Sequence, residues 1–323
     1  MTSRRSSIEV PAIVPGETAP ATAAVGCAAN LPMPLPQLVH RLCFDEFAIL
    51  AVKDAGGGVM GAKRITLQFN AEPRVIETKW KATRASGDSW NNSPHREIGT
   101  YAVQWLFLDA DQYIVPPTVV RSIPLPAYRP IAADPAPTFP GTGCVLGVLA
   151  SWLENVMQPD NVLDRERFEK DAAYAVRFAN LNLLHYLVLH RDARANNFLI
   201  SIDPADPRVF SIDNGIAFGR TLYNFFSAHF NKIRVPLPRA SIDRLRLVSR
   251  QDLDRLGVLG QLETDAAGVL HNVQPGTNID PDNAMRVAPW GVQFGLARAE
   301  IDALADRLQQ LLAKVDAGEQ AVF

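Results

Sequence analysis

Alternation of apolar and polar residues predicts three short strands in the first third of the chain. Residues 47–52 form an apolar run, residues 65–69 alternate strictly, and residues 74–81 are rich in Val, Ile, Thr and Trp. These patterns are typical of β-strands. Residues 55–63 are rich in glycine, so we expect the first two strands to be antiparallel neighbours joined by a glycine-rich turn.

A helix is expected to begin at Ser93 and Pro94, because Ser caps helix N-termini and Pro is favoured in the first turn. Apolar residues recur at helical spacing as far as residue 106, and Glu97 shares a partly buried face with Tyr101. The prolines between residues 115 and 140 then exclude a long helix. Residues 144–150 are one more apolar strand candidate.

The second half of the chain is predicted to be mostly helical. Asp164 is placed to cap a helix whose apolar stripe continues to residue 186. Two short apolar segments, 197–202 and 208–212, flank a proline-containing turn and indicate a small hairpin. An amphipathic helix follows near the end, from residue 301 to a glycine at 318.

Composition and charge exclude several classes of protein. The 323 residues are 47% hydrophobic and 20% charged, with a formal net charge of -2, which argues against disorder and against nucleic acid or an anionic membrane as the main partner. Three widely spaced cysteines favour neither a disulfide scaffold nor a zinc site. No apolar run approaches the roughly 20 residues of a membrane helix, so we expect no transmembrane segment.

The first 35 residues are rich in Ala, Pro, Thr and Ser and are expected to be a disordered tail. Prolines interrupt the place where an export signal would need an apolar core. We therefore expect a cytoplasmic protein, although export as an effector fits the same sequence. The sequence does not indicate an oligomeric state.

The most informative residues lie in residues 190–200 and 210–215. Phosphoryl transfer from ATP needs a carboxylate beside the acceptor hydroxyl, and a second carboxylate with an amide oxygen to hold Mg²⁺ against the phosphates. Asp192, Asn197 and Asp213 supply these three groups, with Asp213 at the end of the predicted hairpin. Each residue alone is typical of a cap or a turn, and only their combination points to this chemistry.

This segment resembles the protein-kinase-like superfamily, whose catalytic loop is H-R-D-x-x-x-x-N and whose metal-binding motif is D-F-G. The resemblance implies that Asp192 is the catalytic base and that Asn197 and Asp213 are the metal ligands. It also implies that His190 supports the loop and that Arg194 contacts the transferring phosphate. ATP and Mg²⁺ are the expected cofactors.

The same resemblance implies a strand lysine that binds the ATP phosphates and pairs with a helix glutamate. Glu97 is the candidate glutamate. Lys79 and Lys81 are both candidates for the lysine, since they share one face of a strand, and the Trp80-Lys81 pair favours Lys81. The remaining candidates for the phosphates are the glycine loop and the lysine after it: Gly56, Gly57, Gly58, Gly61 and Lys63.

Several departures separate this chain from conventional protein kinases. The metal motif is Asp213-Asn214-Gly215, the glycine loop is not G-x-G-x-x-G, and no A-P-E sequence follows. Residues 212–218 are similar to type II phosphatidylinositol 4-kinases, whereas residues 97–101 and 115–119 are similar to the Golgi secretory casein kinases. Both belong to the atypical branch, as do HipA-type kinases.

The resemblance implies an α+β, two-lobed fold with ATP in the cleft between the lobes. Residues 36–143 would form the β-rich lobe and residues 144–323 the α-helical lobe, with residues 145–149 offering backbone groups to adenine and residues 220–238 replacing the activation segment. The expected activity is transfer of the γ-phosphoryl group of ATP to a hydroxyl of a protein, lipid or small molecule, the acceptor being unspecified. Protein nucleotidyl transfer and an inactive, scaffolding pseudokinase are the alternatives.

Overall fold

The computed structural model describes residues 30–56, 61–70, 73–87, 92–161, 163–203, 205–219 and 232–323. Within these ranges the chain is a mixed α+β protein, which confirms the predicted class. The helices are α1 (Leu35–Phe44), α2 (Pro94–Val103), α3 (Leu125–Tyr128), α4 (Arg165–Lys170), α5 (Ala172–Leu187), α6 (Arg239–Leu247), α7 (Arg250–Asp254) and α8 (Arg298–Asp316). The strands are β1 (Phe47–Asp54), β2 (Lys63–Phe69), β3 (Val75–Ala82), β4 (Thr118–Pro124), β5 (Cys144–Ser151), β6 (Val156–Met157), β7 (Phe198–Ser201), β8 (Val209–Ser211), β9 (Gly260–Thr264), β10 (Leu270–Val273), β11 (Met285–Ala288) and β12 (Gly291–Phe294).

The largest sheet has five antiparallel strands in the order β1-β2-β3-β5-β4. The predicted antiparallel pairing of β1 with β2 is confirmed, from Phe47 opposite Phe69 to Asp54 opposite Lys63. Helix α2 connects β3 to β4 and packs on β4 and β5. The sheet and this helix therefore carry the glycine-rich turn, both candidate lysines and Glu97.

One face of this sheet is apolar and the other carries charged side chains. Ile65 of β2 and Trp80 of β3 are buried on the apolar face together with Leu38 of α1. Successive side chains of a strand point to opposite faces, so Lys79 and Lys81 lie on the other face. Helix α2 covers part of that second face, and the candidate site forms there.

The single helix expected from Asp164 to residue 186 is interrupted at Asp171. Asp164 accepts a hydrogen bond from the backbone N–H of Arg167 (2.9 Å), and Asp171 accepts one from that of Tyr174 (3.0 Å). Each carboxylate thus caps its own helix, α4 or α5, because an Asp side chain satisfies N–H groups that the first turn leaves unpaired. Helix α5 then ends at Leu187, directly before the predicted catalytic loop.

The predicted hairpin is confirmed as β7 and β8, which pair with Phe198 opposite Ser211. Strand β6 adds to the other side of β7 and completes a three-stranded sheet. The hairpin connects the predicted catalytic loop to Asp213, so both segments lie at the same end of this small sheet.

The C-terminal third contains a four-stranded sheet where the sequence pattern indicates mainly helices. Its order is β10-β9-β12-β11, and all pairs are antiparallel. The strands have four or five residues each, which is too short for a clear alternation pattern. Hydrogen bonds from Ser122 of β4 to the carbonyl of Leu270, and from Asn272 to the carbonyl of Val120 (2.9 Å), attach this sheet to the edge of the five-stranded sheet.

Two groups of residues near the expected segment limits are packed into the structure. Strand β5 lies between β3 and β4, so the first sheet extends to Ser151, beyond the expected limit at residue 143. Residues 30–35 were expected in the tail, but Asn30 and Met33 are fully buried, and the Asn30 amide donates to the Glu154 carbonyl at 2.9 Å. The remainder of that expected tail, residues 1–29, lies outside the described residues. None of the described helices is long and apolar enough to cross a membrane.

Candidate active site

Lys81 and Glu97 form a buried ion pair at the centre of the site. The Lys81 Nζ atom donates to Glu97 Oε1 at 2.9 Å, and the two side chains are only 5% and 9% exposed. Lys79 lies on the same face of β3, but no bond joins it to Glu97 among the contacts of the described residues. The geometry therefore favours Lys81 as the partner of the helix glutamate.

Asp213 joins this ion pair from the other side. Its Oδ1 atom accepts a hydrogen bond from Lys81 and lies 3.4 Å from Lys79 Nζ. Burial acts to raise the pKa of Asp213, but the two lysine charges outweigh it and hold that pKa well below its usual value. Burial likewise acts to lower the pKa of Lys81, and the charges of Glu97 and Asp213 reverse this effect, so the net shift is upward. Asp213 and Lys81 are therefore both charged at neutral pH.

The backbone at Asp213 has the conformation that this placement requires. Its φ angle is 62°, in the left-handed region that few residues other than Gly, Asn and Asp adopt readily. The Ile212 N–H, one residue earlier, donates to the Asn197 carbonyl at 3.0 Å. This bond ties the Asp213 segment to the loop that carries Asp192 and Asn197.

The loop after α5 brings together its three predicted polar residues. Asn197 donates through Nδ2 to the Asp192 carbonyl at 2.8 Å and to Asp192 Oδ2 at 2.9 Å. Arg194 Nε lies 2.9 Å from Asp192 Oδ1, and the Arg194 side chain is more than half exposed. The Asp192 carboxylate is therefore fixed in orientation at the surface of the loop. Both bonds to Asp192 use the Nδ2 atom of Asn197.

Two buried histidines, whose rings are tilted by 34° relative to each other, lie at the start of this loop. His190 and His185 are fully buried, with ring centroids 4.6 Å apart. Burial lowers the pKa of both rings, so they are neutral at physiological pH. This placement fits the supporting role that the sequence resemblance implies for His190.

Asn214 extends the site through a buried hydrogen-bond network that the sequence did not predict. Its backbone N–H donates to Glu97 Oε2 at 3.0 Å, while its Oδ1 atom accepts from Ser211 Oγ at 2.8 Å. Ser211 Oγ in turn lies 2.8 Å from His185 Nε2. Asn214 therefore connects α2, β8 and α5 at the residue next to Asp213. Asn214 was visible in the sequence only as a departure from the D-F-G motif.

The described part of the glycine-rich turn has the expected backbone character. Gly56 and Gly61 have φ angles of 79° and 66°, which glycine adopts without steric cost. Gly57 and Gly58 lie outside the described residues. The turn is closed by a hydrogen bond from the Ala55 N–H to the Ala62 carbonyl at 3.1 Å.

Lys63 does not join the other candidate residues. It lies directly opposite Trp80 in the β2–β3 ladder, and opposite residues point to the same face of a sheet. Lys63 is therefore on the apolar side, away from Lys79 and Lys81, where its Nζ donates to Asp54 at 2.7 Å. The two-residue period of β2 also puts Lys63 on the face of the buried Ile65, a signal in the sequence that the expectation for Lys63 did not take into account.

The charged residue of β2 on the same face as Lys79 and Lys81 is Arg64. It lies opposite Lys79, forms an ion pair with Glu77, and places its guanidinium 4.3 Å from the ring centre of Trp152. The alternation in residues 65–69 already separates Arg64 from the buried Ile65. Arg64 was not among the expected site residues, because Lys63 was the only residue after the glycine loop considered as a cation for the phosphates.

Residues 145–149 lie inside β5 and pair with strands on both sides. Residues 147–151 pair with β3 and residues 144–150 with β4, so this backbone is engaged within the sheet. The chain leaves the sheet only after Ser151, where the Trp152 N–H donates to the Glu77 carbonyl at 3.0 Å. Residues 220–231, most of the segment expected to replace an activation segment, lie outside the described residues.

A separate cavity of about 390 Å³ lies beyond the C-terminal end of β3. It is lined mainly by Ala and Pro residues, with Arg84 and Asp134 as its charged groups. It contains none of the residues that contact Asp213 or Asp192, so the candidate active site is the one around Lys81.

Comparison of the sequence with family models and with curated proteins finds no match. The case for a function is therefore carried by the residues of the site around Lys81.

Proposed function

We propose that this protein is an ATP- and Mg²⁺-dependent phosphotransferase of the atypical protein-kinase-like type, moving the γ-phosphoryl group to a hydroxyl acceptor. The observation that carries the proposal is the contact of Lys81 with both Glu97 and Asp213. A lysine paired with a helix glutamate, next to a metal-binding aspartate, is the arrangement that kinases use to hold ATP phosphates. Three separate segments of this chain, β3, α2 and the residues after β8, have to fold together to produce it.

The order of elements supports the same proposal. A β-hairpin with a glycine-rich turn precedes the lysine strand β3, the glutamate helix α2 and the strand pair β4 and β5. A long helix, α5, then leads into the loop of Asp192 and Asn197, and the β7–β8 hairpin leads to Asp213. This is the order on which the resemblance to the kinase-like superfamily rests, and it would give two lobes with a cleft between them.

The residues of the loop fit a phosphoryl transfer. Asp192 would accept the proton of the acceptor hydroxyl, whose oxygen bonds to the γ-phosphorus while the bond to the β–γ bridging oxygen breaks and ADP leaves. Arg194 and Lys81 would stabilise the negative charge that spreads over the phosphoryl oxygens. Lys79 adds a second cation on the same strand face.

The available ligands fit Mg²⁺ held jointly with phosphates. Mg²⁺ is usually bound through one or two carboxylates and substrate phosphates, with water completing its shell. Asp213 and the Oδ1 atom of Asn197 are oxygen ligands of this kind. Among the described residues no cluster of three or more His, Cys, Asp or Glu side chains forms a cage that would bind a metal alone. When bound, Mg²⁺ would neutralise phosphate charge.

Calorimetric titration with ATP, in the presence and absence of Mg²⁺, tests the proposal. Asp213→Asn should weaken Mg²⁺-dependent binding by about 10- to 100-fold or more. Asp206→Asn is the matched control, because Asp206 lies in the turn of the same hairpin and pairs with Arg208 at 2.7 Å. Binding that ignores both Mg²⁺ and Asp213 would identify a pseudokinase, and absence of binding to the wild type would refute the proposal.

Product analysis separates the two transfer reactions. Prolonged incubation with Mg²⁺ and ATP should release ADP if the γ-phosphoryl group moves to water, to the protein or to an added hydroxyl compound. Release of pyrophosphate, with a mass gain of one AMP on the protein, would instead identify nucleotidyl transfer. Asp192→Asn should abolish either product while leaving ATP binding largely intact, since Asp192 acts on the acceptor.

A further inference from the structure

The helix that carries Glu97 is held in place by the C-terminal part of the chain. Gly99 of α2 lies directly beneath Leu296, which follows β12. A Cβ atom at residue 99 would lie 2.6 Å from Leu296 Cδ2, closer than carbon atoms approach one another. Gly99 therefore allows Leu296 to pack against the helix backbone, one turn or less from Glu97.

A largely buried carboxylate adds a polar contact at the start of the same helix. Glu300 of α8 has its Oε1 atom 3.2 Å from His95 Nε2 and 3.2 Å from Arg96 Nε. Its Oε2 atom accepts from the Ala297 N–H at 3.1 Å, which fixes the carboxylate on its own helix. His95 and Glu300 are 3% and 13% exposed, so water screens these contacts weakly.

Leu296 is itself held by a hydrogen bond to the four-stranded sheet. The buried Arg286 guanidinium donates to the carbonyls of Gly257 (2.5 Å) and Leu296 (3.4 Å), and its Nε donates to that of Asp280 (2.6 Å). The four-stranded sheet that carries Arg286 is in turn bonded to β4, at the edge of the sheet that contains Lys81. The four-stranded sheet that holds Leu296 against α2 is thus bonded to the five-stranded sheet that carries Lys81.

We propose that Glu300 and Leu296 are positioning residues that hold α2 with Glu97 against Lys81. The ion pair would then be a fixed property of the folded chain, with no separate step needed to bring the helix in. The expected effect on MgATP affinity rests on the proposed function, whereas the expected effect on the stability of α2 does not. Neither residue touches a reacting group, and both act through α2.

Glu300→Gln tests the polar contact, and α8 offers a matched control two residues away. Asp302 pairs with Arg250 of α7 at 2.6 Å and is about half exposed, so Asp302→Asn removes an ion pair from the same helix without touching α2. Amide hydrogen exchange of residues 94–103 should accelerate about tenfold in Glu300→Gln, since hydrogen bonds to charged groups are among the stronger ones. It should stay at the wild-type rate in Asp302→Asn.

MgATP affinity distinguishes a positioning role for Glu300 from a general loss of stability. Glu300→Gln should weaken MgATP binding about fivefold in the wild type and hardly at all in a Glu97→Gln background, because residues that act through one another show non-additive effects. Leu296→Ala should repeat both results through the apolar contact.

Equal exchange of residues 94–103 in Glu300→Gln and Asp302→Asn would overturn the positioning role, as would effects on MgATP affinity that simply add. A wild-type protein without affinity for MgATP would refute the proposed function alone. In that case the exchange comparison, which needs no nucleotide, still decides whether Glu300 and Leu296 position α2.

Discussion

Glu97→Gln tests whether the Lys81–Glu97 pair is as sheltered as its geometry indicates. The substitution keeps the shape of the side chain and removes its charge. Removing one partner of a buried ion pair typically costs about 3–5 kcal/mol, because the remaining charge stays in a poorly solvated place. Lys81 retains its contact with Asp213, so we expect about 3 kcal/mol, at the lower end of that range.

An exposed pair of the same residue types provides the control. Glu166 and Lys170 are 2.6 Å apart on α4, closer than Glu97 and Lys81, but they are 77% and 72% exposed. Water and salt screen such a pair, so Glu166→Gln should cost less than about 0.5 kcal/mol. If proximity alone decided the energy, the exposed pair would be the stronger one.

Urea unfolding followed by tryptophan fluorescence measures both free energies, since Trp80 and Trp105 are buried in separate parts of the core. A double-mutant cycle with Lys81→Met then isolates the interaction. The double variant has neither charge of the pair, so it should be about 2 kcal/mol more stable than the sum of the single effects predicts. The reasoning is refuted if Glu97→Gln costs no more than Glu166→Gln, or if the effects of Glu97→Gln and Lys81→Met are additive.

Three further changes have defined outcomes. Burial and the neighbouring His190 lower the pKa of His185. Below the unfolded pKa of about 6.5 the unfolded chain therefore binds one proton more, and the free energy of unfolding should fall as the pH falls. His185→Gln should reduce the slope of that free energy against pH by about 1.4 kcal/mol per pH unit in urea titrations. Gly147→Ala should lower the free energy of unfolding by about 3 kcal/mol, because the new Cβ atom would lie 2.4 Å from the Lys81 carbonyl oxygen. Gly260→Ala is the control: its Cβ atom would have its nearest neighbour 3.8 Å away, so the loss should be less than about 1 kcal/mol in the same assay. Asn214→Leu should lose the bond from Ser211 and leave that buried hydroxyl with one partner fewer, costing about 2 kcal/mol and weakening MgATP binding in calorimetry; unchanged stability and affinity would contradict the role of the network.

The parts of the fold that the sequence predicted are those that depend on local pattern. β1, β2 and β3 have strand composition along their whole length, and α2 begins at the predicted Ser-Pro pair. Asp192 and Asn197 are five positions apart in one loop, so their contact needs little long-range information. The same face for Lys79 and Lys81 follows from the two-residue period of a strand.

The parts that it did not predict depend on which segments pair. Nothing near Lys63 indicates that it lies opposite Trp80, because that pairing depends on the register between β2 and β3. The position of β5 inside the first sheet is likewise a consequence of pairing with β3 and β4. The strands β9 to β12 are too short to show a period, and Leu296 and Glu300 acquire their role only because that sheet brings them to α2.

The Asp-Asn-Gly motif is visible in the local sequence, but the contacts of its asparagine depend on the folded structure. A polar residue next to Asp213 looked like a departure from a kinase pattern, because an apolar aromatic stands at that position in D-F-G. In the folded chain Asn214 is buried, but its Oδ1 atom and backbone N–H have partners in Ser211 and Glu97. A buried polar group whose hydrogen bonds are made fixes orientation more strictly than apolar packing, since a shift of either partner leaves it unpaired. Asn214 can therefore hold Asp213 and Glu97 in one arrangement by hydrogen bonds, where an aromatic residue would do so by packing.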